Sequence, residues 1–192
     1  IEQRGMAAQR RVNTERMRPD GSAAPSIGTV ARLNLPSGPG VRVDTSAYAG
    51  YRNSLSFDSL LAKVIVHCAE DDYGALMRKA QRALYETDIA GIDTNLGFLR
   101  NLLRHPDVQA GTLDIAFVDR NVGEFLADDA IVEGRYFQLP NTPDTNQLRE
   151  EITAPEGTLA VVSPNDCRLI ELHVSEGDTV EPGQLIAVTE AM

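Results

Sequence analysis

DSLLAKVIVHC, residues 58–68, is the stretch on which the fold turns. It ends in a continuous apolar run, Val64-Ile65-Val66, and the β-branched residues Val64, Ile65 and Val66 favour an extended chain. The run predicts a strand buried on both faces. Upstream, residues 31–35 alternate, with Ala31, Leu33 and Leu35 set against Arg32 and Asn34, which predicts a half-buried strand. PSGPG at 36–40 is a turn, and VRVD at 41–44 is a further strand with Val41 and Val43 inward. Downstream, two helices are expected. Asp71 or Asp72 caps the first, and Leu76, Ala80, Ala83 and Leu84 form its buried stripe. Thr94 caps the second, Phe98, Leu99, Leu102 and Leu103 lie inside, and His105-Pro106 stops it. A weaker helical pattern covers 113–126. Strands and helices without regular alternation give an α+β class. Residues 1–26 are polar and carry no clear period.

The remaining third differs. LPNTPDTNQLREEITAPE at 139–156 holds three prolines and little apolar material, and reads as a linker. After it, 157–163, 168–174 and 184–192 read as short strands of a small all-β module. Ile170, Leu172 and Val174 face one way, Glu171 and His173 the other. Gly177 and Gly183 suit the two bends around Val180, which is placed to plug the base of a small barrel.

Composition narrows the function classes. The chain has 192 residues, 42% hydrophobic and 24% charged, with a net charge of −10. Residues 1–18 carry five Arg against Glu2 and Glu15, while 140–192 carry ten acidic residues against Arg149 and Arg168. An acidic chain argues against nucleic-acid binding, which requires phosphate neutralisation. The basic N-terminal patch, with no interleaved aromatics, fits a local anion site. Cys68 and Cys167 are the two cysteines, far apart, which predicts a reducing, cytoplasmic compartment. No apolar run reaches membrane-spanning length, so no membrane partner is expected. His67 and His173 lack partners at metal-ligand spacing, and no metal site is expected. Ile1 opens the chain, which predicts an internal or processed segment of a longer protein.

VSEGDTVEPGQLIAVTEAM at 174–192 resembles the biotinyl domain of biotin-dependent carboxylases and, more loosely, the lipoyl domain. In that family a strand, EGDxVxxGQ and a second strand lead to Glu-Ala-Met-Lys-Met at a hairpin tip, whose lysine carries biotin. Glu190, Ala191 and Met192 match this biotin-attachment hairpin, and the acceptor lysine falls one residue past the end. Where the family usually has Met-Pro-Gly, this chain has SPNDCRL at 163–169. On this resemblance residues 157–192 are a truncated half-barrel whose strands lack some of their partners.

RGMAAQRRVN at 4–13, PSGPGVRVD at 36–44, YAGY at 48–51, FDSLLAKVIV at 57–66 and GIDTNLGFLRNLL at 91–103 resemble, in order and spacing, the C-terminal domain of biotin carboxylase. The resemblance covers residues 4–126 and implies a mixed antiparallel sheet with helices over 1–138, followed by the linker and the partial biotinyl half-barrel. The family motif Arg-Gly-His-Ala-Ile-Glu-x-Arg-Ile/Val-Asn aligns its second arginine with Arg11, with Met6 in place of His and Gln9 in place of Glu. IEQR at 1–4 mimics the motif, but Val12-Asn13 follow Arg11 whereas Gly5-Met6 follow Arg4, which selects Arg11. By itself, an arginine in a basic cluster is ordinarily a solvated or ion-paired surface residue.

The resemblance implies that ATP and Mg²⁺, bound by upstream ATP-grasp domains, activate bicarbonate, and that the carboxyl group passes to biotin. It makes Arg11 the catalytic, biotin-binding cation facing the ureido oxygen, where a fixed guanidinium stabilises developing charge. Asp58 stands near the biotin site in the family, and equally reads as a turn cap before Ser59-Leu60. Lys63 reads as a snorkelling edge residue. Arg42 matches a homodimer contact, with Pro39 where an aromatic often sits. No Gly-rich phosphate loop or Lys/Glu set for ATP occurs. The function implied is that of part of a biotin-dependent carboxylase, acting with a carboxyltransferase partner on an acyl-CoA, pyruvate or urea. The rival classes are a non-catalytic carrier or assembly module and a lipoyl-type carrier. The isolated chain is expected to be inactive.

Overall fold

The apolar run at 58–68 becomes the middle strand of a three-stranded sheet. The computed structural model describes residues 4–54, 58–127, 154–155, 157–163 and 167–190. In chain order the strands are β1 (Met6–Asn13), β2 (Glu15–Met17), β3 (Ala23–Pro25), β4 (Arg32–Asn34), β5 (Val41–Thr45), β6 (Leu60–Cys68), β7 (Asp88–Ala90), β8 (Arg168–Leu172) and β9 (Ala187–Glu190). The helices are α1 (Tyr73–Glu86), α2 (Leu96–Arg104), α3 (Pro106–Ala110) and α4 (Phe117–Phe125). The main sheet has the order β1-β6-β5, and every pairing is antiparallel; β2-β3, β4-β7 and β8-β9 form separate two-stranded ladders.

One face of the main sheet makes the core. Val12, Ala62, Val64, Val66 and Cys68 pack against α1, through Leu76, Met77, Ala80, Ala83 and Leu84, and against Leu96 and Leu103 of α2. The expectation of a strand buried on both faces needs correction. Leu61 packs on the second face with Val30 and Ile92, but further along Ile65 is only half-buried and His67 is exposed. The helices pack on the first side, and the second face is covered only around Leu61.

Asp72 caps α1, its carboxylate accepting the Ala75 N–H at 2.9 Å. Position Asn95, not Thr94, is the N-cap of α2; Thr94 Oγ1 accepts from the Leu96 N–H at 3.4 Å. His105-Pro106 does end α2, and Pro106 also opens α3, since a first-turn residue needs no N–H. The expected helix over 113–126 is α4. Ahead of it Asp114 accepts from Ala116 N at 2.9 Å and from Arg120 Nη2 at 2.8 Å. The Arg120 bond holds the Asp114 carboxyl below its ordinary range.

Arg100 is the one charged side chain of α2 among its buried residues, 7% exposed. Its Nε donates to Leu84 O at 3.0 Å and its Nη2 to Thr87 O at 2.6 Å. A cation at the last carbonyls of α1 also complements the helix dipole. Thr87 is fully buried there and donates Oγ1 to Ala83 O at 2.9 Å.

In the C-terminal segment β8 and β9 form an antiparallel hairpin, shorter than expected at both strands, and residues 157–163 form no strand. The ladder slips between Leu169 and Glu171, leaving Ile170 as an extra residue, so strict alternation through Ile170 and Leu172 does not hold. Val180 is half-exposed and plugs nothing among the described residues. Gly177 and Gly183 do take left-handed backbone, φ 96° and 89°. The expected linker, apart from 154–155, lies outside the described residues, as do Ala191 and Met192.

Candidate active site

β1 alternates between the two faces of the sheet. Ala8, Arg10 and Val12 point toward α1, so Arg11 points to the open face. Arg11 lies directly opposite Lys63 of β6, and Lys63 lies opposite Asp44 of β5, so the three form a row across the sheet. Like charges directly opposite are destabilising. That conflict is relieved from outside the sheet: Arg11 Nη2 meets Asp58 Oδ2 at 3.0 Å. The two side chains are 48% and 65% exposed. Such an exposed pair contributes only about 0.2–1 kcal/mol to stability.

The approach of Asp58 to Arg11 is built by the residues that follow each of them. Thr14 N donates to Ser59 O at 2.8 Å, and Thr14 Oγ1 donates to the same carbonyl at 3.1 Å. Ser59 Oγ donates to Glu15 Oε1, which also accepts from Asn13 Nδ2 at 3.1 Å. The Asn13 amide oxygen is buried at this junction with no partner among the described residues. Asn53 braces Thr14 from behind, donating Nδ2 to Thr14 Oγ1 at 2.9 Å and to Ser26 O at 2.6 Å. Asp58 Oδ1 meanwhile accepts the Leu60 N–H at 3.1 Å. The turn-cap reading of Asp58 is thus met by one oxygen, while the other pairs with Arg11.

Among the described residues Asp58 is the acceptor for Arg11, so the rest of the fork is open to a ligand. A rigid, permanently charged donor set of this kind suits a carbonyl oxygen on which negative charge develops. Arg42 lies on the same face two strands away, 70% exposed and paired with Asp44 at 3.2 Å. Glu190 ends β9 and is exposed. His67 Nε2 stands 3.4 Å from Arg4 O, and His173 Nε2 stands 3.2 Å from Glu171 Oε2. A separate cavity of about 240 Å³ lies between β2 and the start of α2, lined by Arg16, Asp93, Asn95 and Phe98, and reaches neither Arg11 nor Asp58. Sequence reasoning missed Asn95, which bonds to the backbone on both sides of Val12; its signal was the TN pair inside GIDTN, read there as a helix start.

A model of the biotin carboxylase C-terminal domain matches residues 9–120, more than half of the chain. The chain belongs to that family. Over 123 residues it is 36% identical to a biotin carboxylase of Allochromatium vinosum, covering 64% of this chain and 26% of the relative. Over 118 residues it is 40% identical to the human mitochondrial pyruvate carboxylase, covering 61% of this chain and 10% of the relative. Among solved structures, a single-chain, multi-domain long-chain acyl-CoA carboxylase aligns with 99% of this chain and 17% of its own length, at 36% identity and a TM-score of 0.62. The biotin carboxylase subunit of a pyruvate carboxylase aligns with 67% of this chain and 28% of its own, at 26% identity and a TM-score of 0.62. The chain thus spans less than a third of the length of each of these relatives. Within the matched region fall Arg11, Arg42 and Asp58. No helix among the described residues is long and apolar enough to cross a membrane.

Proposed function

We propose that this chain is the part of a biotin-dependent carboxylase that presents biotin with a fixed guanidinium. The observation that carries this reading is the Arg11–Asp58 pair on the open face of the main sheet, inside a biotin carboxylase C-terminal domain. Biotin, when bound, supplies the ureido nitrogen that accepts the carboxyl group. Arg11 would hold a positive charge toward the ureido oxygen of bound biotin and so would stabilise negative charge developing on that oxygen. Asp58 keeps the fork turned outward and prevents it from folding back along the sheet. ATP and Mg²⁺ belong to ATP-grasp domains of the same parent chain in this reading.

The same proposal divides the chain into the biotin carboxylase C-terminal domain at 1–138, a linker at 139–156, and the beginning of a biotinyl domain at 157–192. The β8–β9 hairpin then leads to Glu190-Ala191-Met192 as the arm of the biotin attachment turn, and Arg42 serves a homodimer contact. Similarity along almost the whole chain to a long-chain acyl-CoA carboxylase favours an acyl-CoA acceptor, delivered by a carboxyltransferase component. The test is Arg11→Ala in the intact parent enzyme, assayed for biotin carboxylation. Loss of one preorganised donor to developing charge reduces kcat by roughly 10²–10³-fold. Carboxylation near the wild-type rate would discard Arg11 as the catalytic cation and leave the assembly-module reading in its place.

A further inference from the structure

The end of β1 has an exposed edge that is closed by a single residue. The β1–β6 ladder slips between Val12 and Asn13, so the strand loses regular support just past Arg11. Asn95 supplies what a neighbouring strand would. Its backbone N–H donates to Asn13 O at 3.1 Å. Its side-chain Oδ1 accepts from Asn13 N at 2.9 Å, and its Nδ2 donates to Arg11 O at 3.3 Å. One amide side chain thus reproduces the acceptor and donor of a peptide group at strand spacing.

This use is at odds with the position Asn95 occupies. Asn is favoured at a helix N-cap because its side-chain oxygen accepts from the N–H two or three residues on. Asn95 is the N-cap of the nine-residue α2, yet makes no such bond. The capping function of the residue is given up, and its amide goes to the peptide groups around Arg11.

We propose that Asn95 is a positioning residue for Arg11, fixing the height and tilt of the guanidinium against Asp58 and biotin. This inference rests on the catalytic reading of Arg11 given above. Asn95 touches no reacting atom; it acts by holding the backbone from which the Arg11 side chain departs. A small misplacement of a catalytic group is costly in rate even when the fold is intact.

Asn95→Asp is the informative variant. The Asn95 side chain makes no cap bond to α2, so the helix stays formed in the variant, but the carboxylate cannot donate to Arg11 O. In the intact parent enzyme, the ratio of biotin-dependent carboxylation to biotin-independent ATP cleavage is expected to fall about tenfold. Combined with Arg11→Ala, Asn95→Asp is expected to cause no further fall, since there is no guanidinium left to aim. Amide exchange of the peptide containing Asn13 is expected to quicken in the same variant. An unchanged ratio, or a loss that persists in full on the Arg11→Ala background, overturns the positioning role. If Arg11→Ala itself leaves carboxylation intact, the reading of Arg11 fails first and the role of Asn95 with it, so the two failures are told apart by the single variants.

Discussion

Val64 and Val66 in β6 are each 2% exposed, whereas Leu169 and Leu172 in β8 are 56% and 64% exposed. Both strands are apolar-rich and antiparallel to a neighbour. The difference is what covers them. β6 has partners on both edges and α1 across one face, while β8 has β9 on one edge and no apolar cluster on either face among the described residues. Alternation decides which residues share a face; a covering layer decides whether that face leaves water. Most of the stabilisation in the described residues is therefore concentrated between β1-β6-β5 and the helices.

Substitutions sharpen that contrast in a graded way. Leu84→Ala removes a fully buried side chain under the sheet and is expected to cost about 2.7–5 kcal/mol. Leu172→Ala in the hairpin is expected to stay within about 0.5 kcal/mol of the parent. Urea unfolding of the two variants reads both values, and equal losses would show that the hairpin is as well covered as the core. Glycines give the next step down. Gly5 has φ 72°, and a Cβ there would stand 2.0 Å from Cys68 O, a backbone atom of the central strand. Gly5→Ala is expected to cost at least about 1–3 kcal/mol from backbone conformation alone, with the clash added to it. Gly177 has φ 96° but nothing within 4 Å, so Gly177→Ala carries conformational strain without a clash and ranks below Gly5→Ala. Reversal of that order in thermal unfolding would break the comparison.

Much of this architecture is legible in the sequence, for physical reasons that vary by element. The strand at 58–68 announces itself by β-branched residues, and α1 by Asp72 and the apolar stripe from Leu76 to Leu84. β1 is hidden because Arg10 sits in its core-facing row. Its Nη2 stands 3.9 Å from Met77 Sδ, and burial pulls its pKa down against a weaker opposing influence from Tyr73. A charged residue there erases the alternation that a sequence reader looks for. β4 follows the alternation at 31–35, whereas β7 has three residues, too few to show a period. At the site, Arg11 and Asp58 are named separately by family motifs 47 residues apart, but their contact depends on Thr14, Glu15 and Ser59, polar residues with no pattern of their own. The role of Asn95 is the least legible, since an Asn before a helix already has an ordinary explanation.

Arg100 ties α1 to α2. Its guanidinium joins the last turn of α1, the entry to β7 and the middle of α2 through backbone carbonyls, which side-chain changes elsewhere cannot remove. Opening the end of α1 must therefore strip a buried cation of its acceptors, and opening α2 must do the same. The two helices form one cooperative unit, with Asn95 at its tip. Amide exchange at Leu84 and Arg100 should follow a single opening event, and two clearly different opening energies would separate the helices. In such a unit, the Arg11 strand leans on helices tied together by a charge almost wholly withdrawn from solvent.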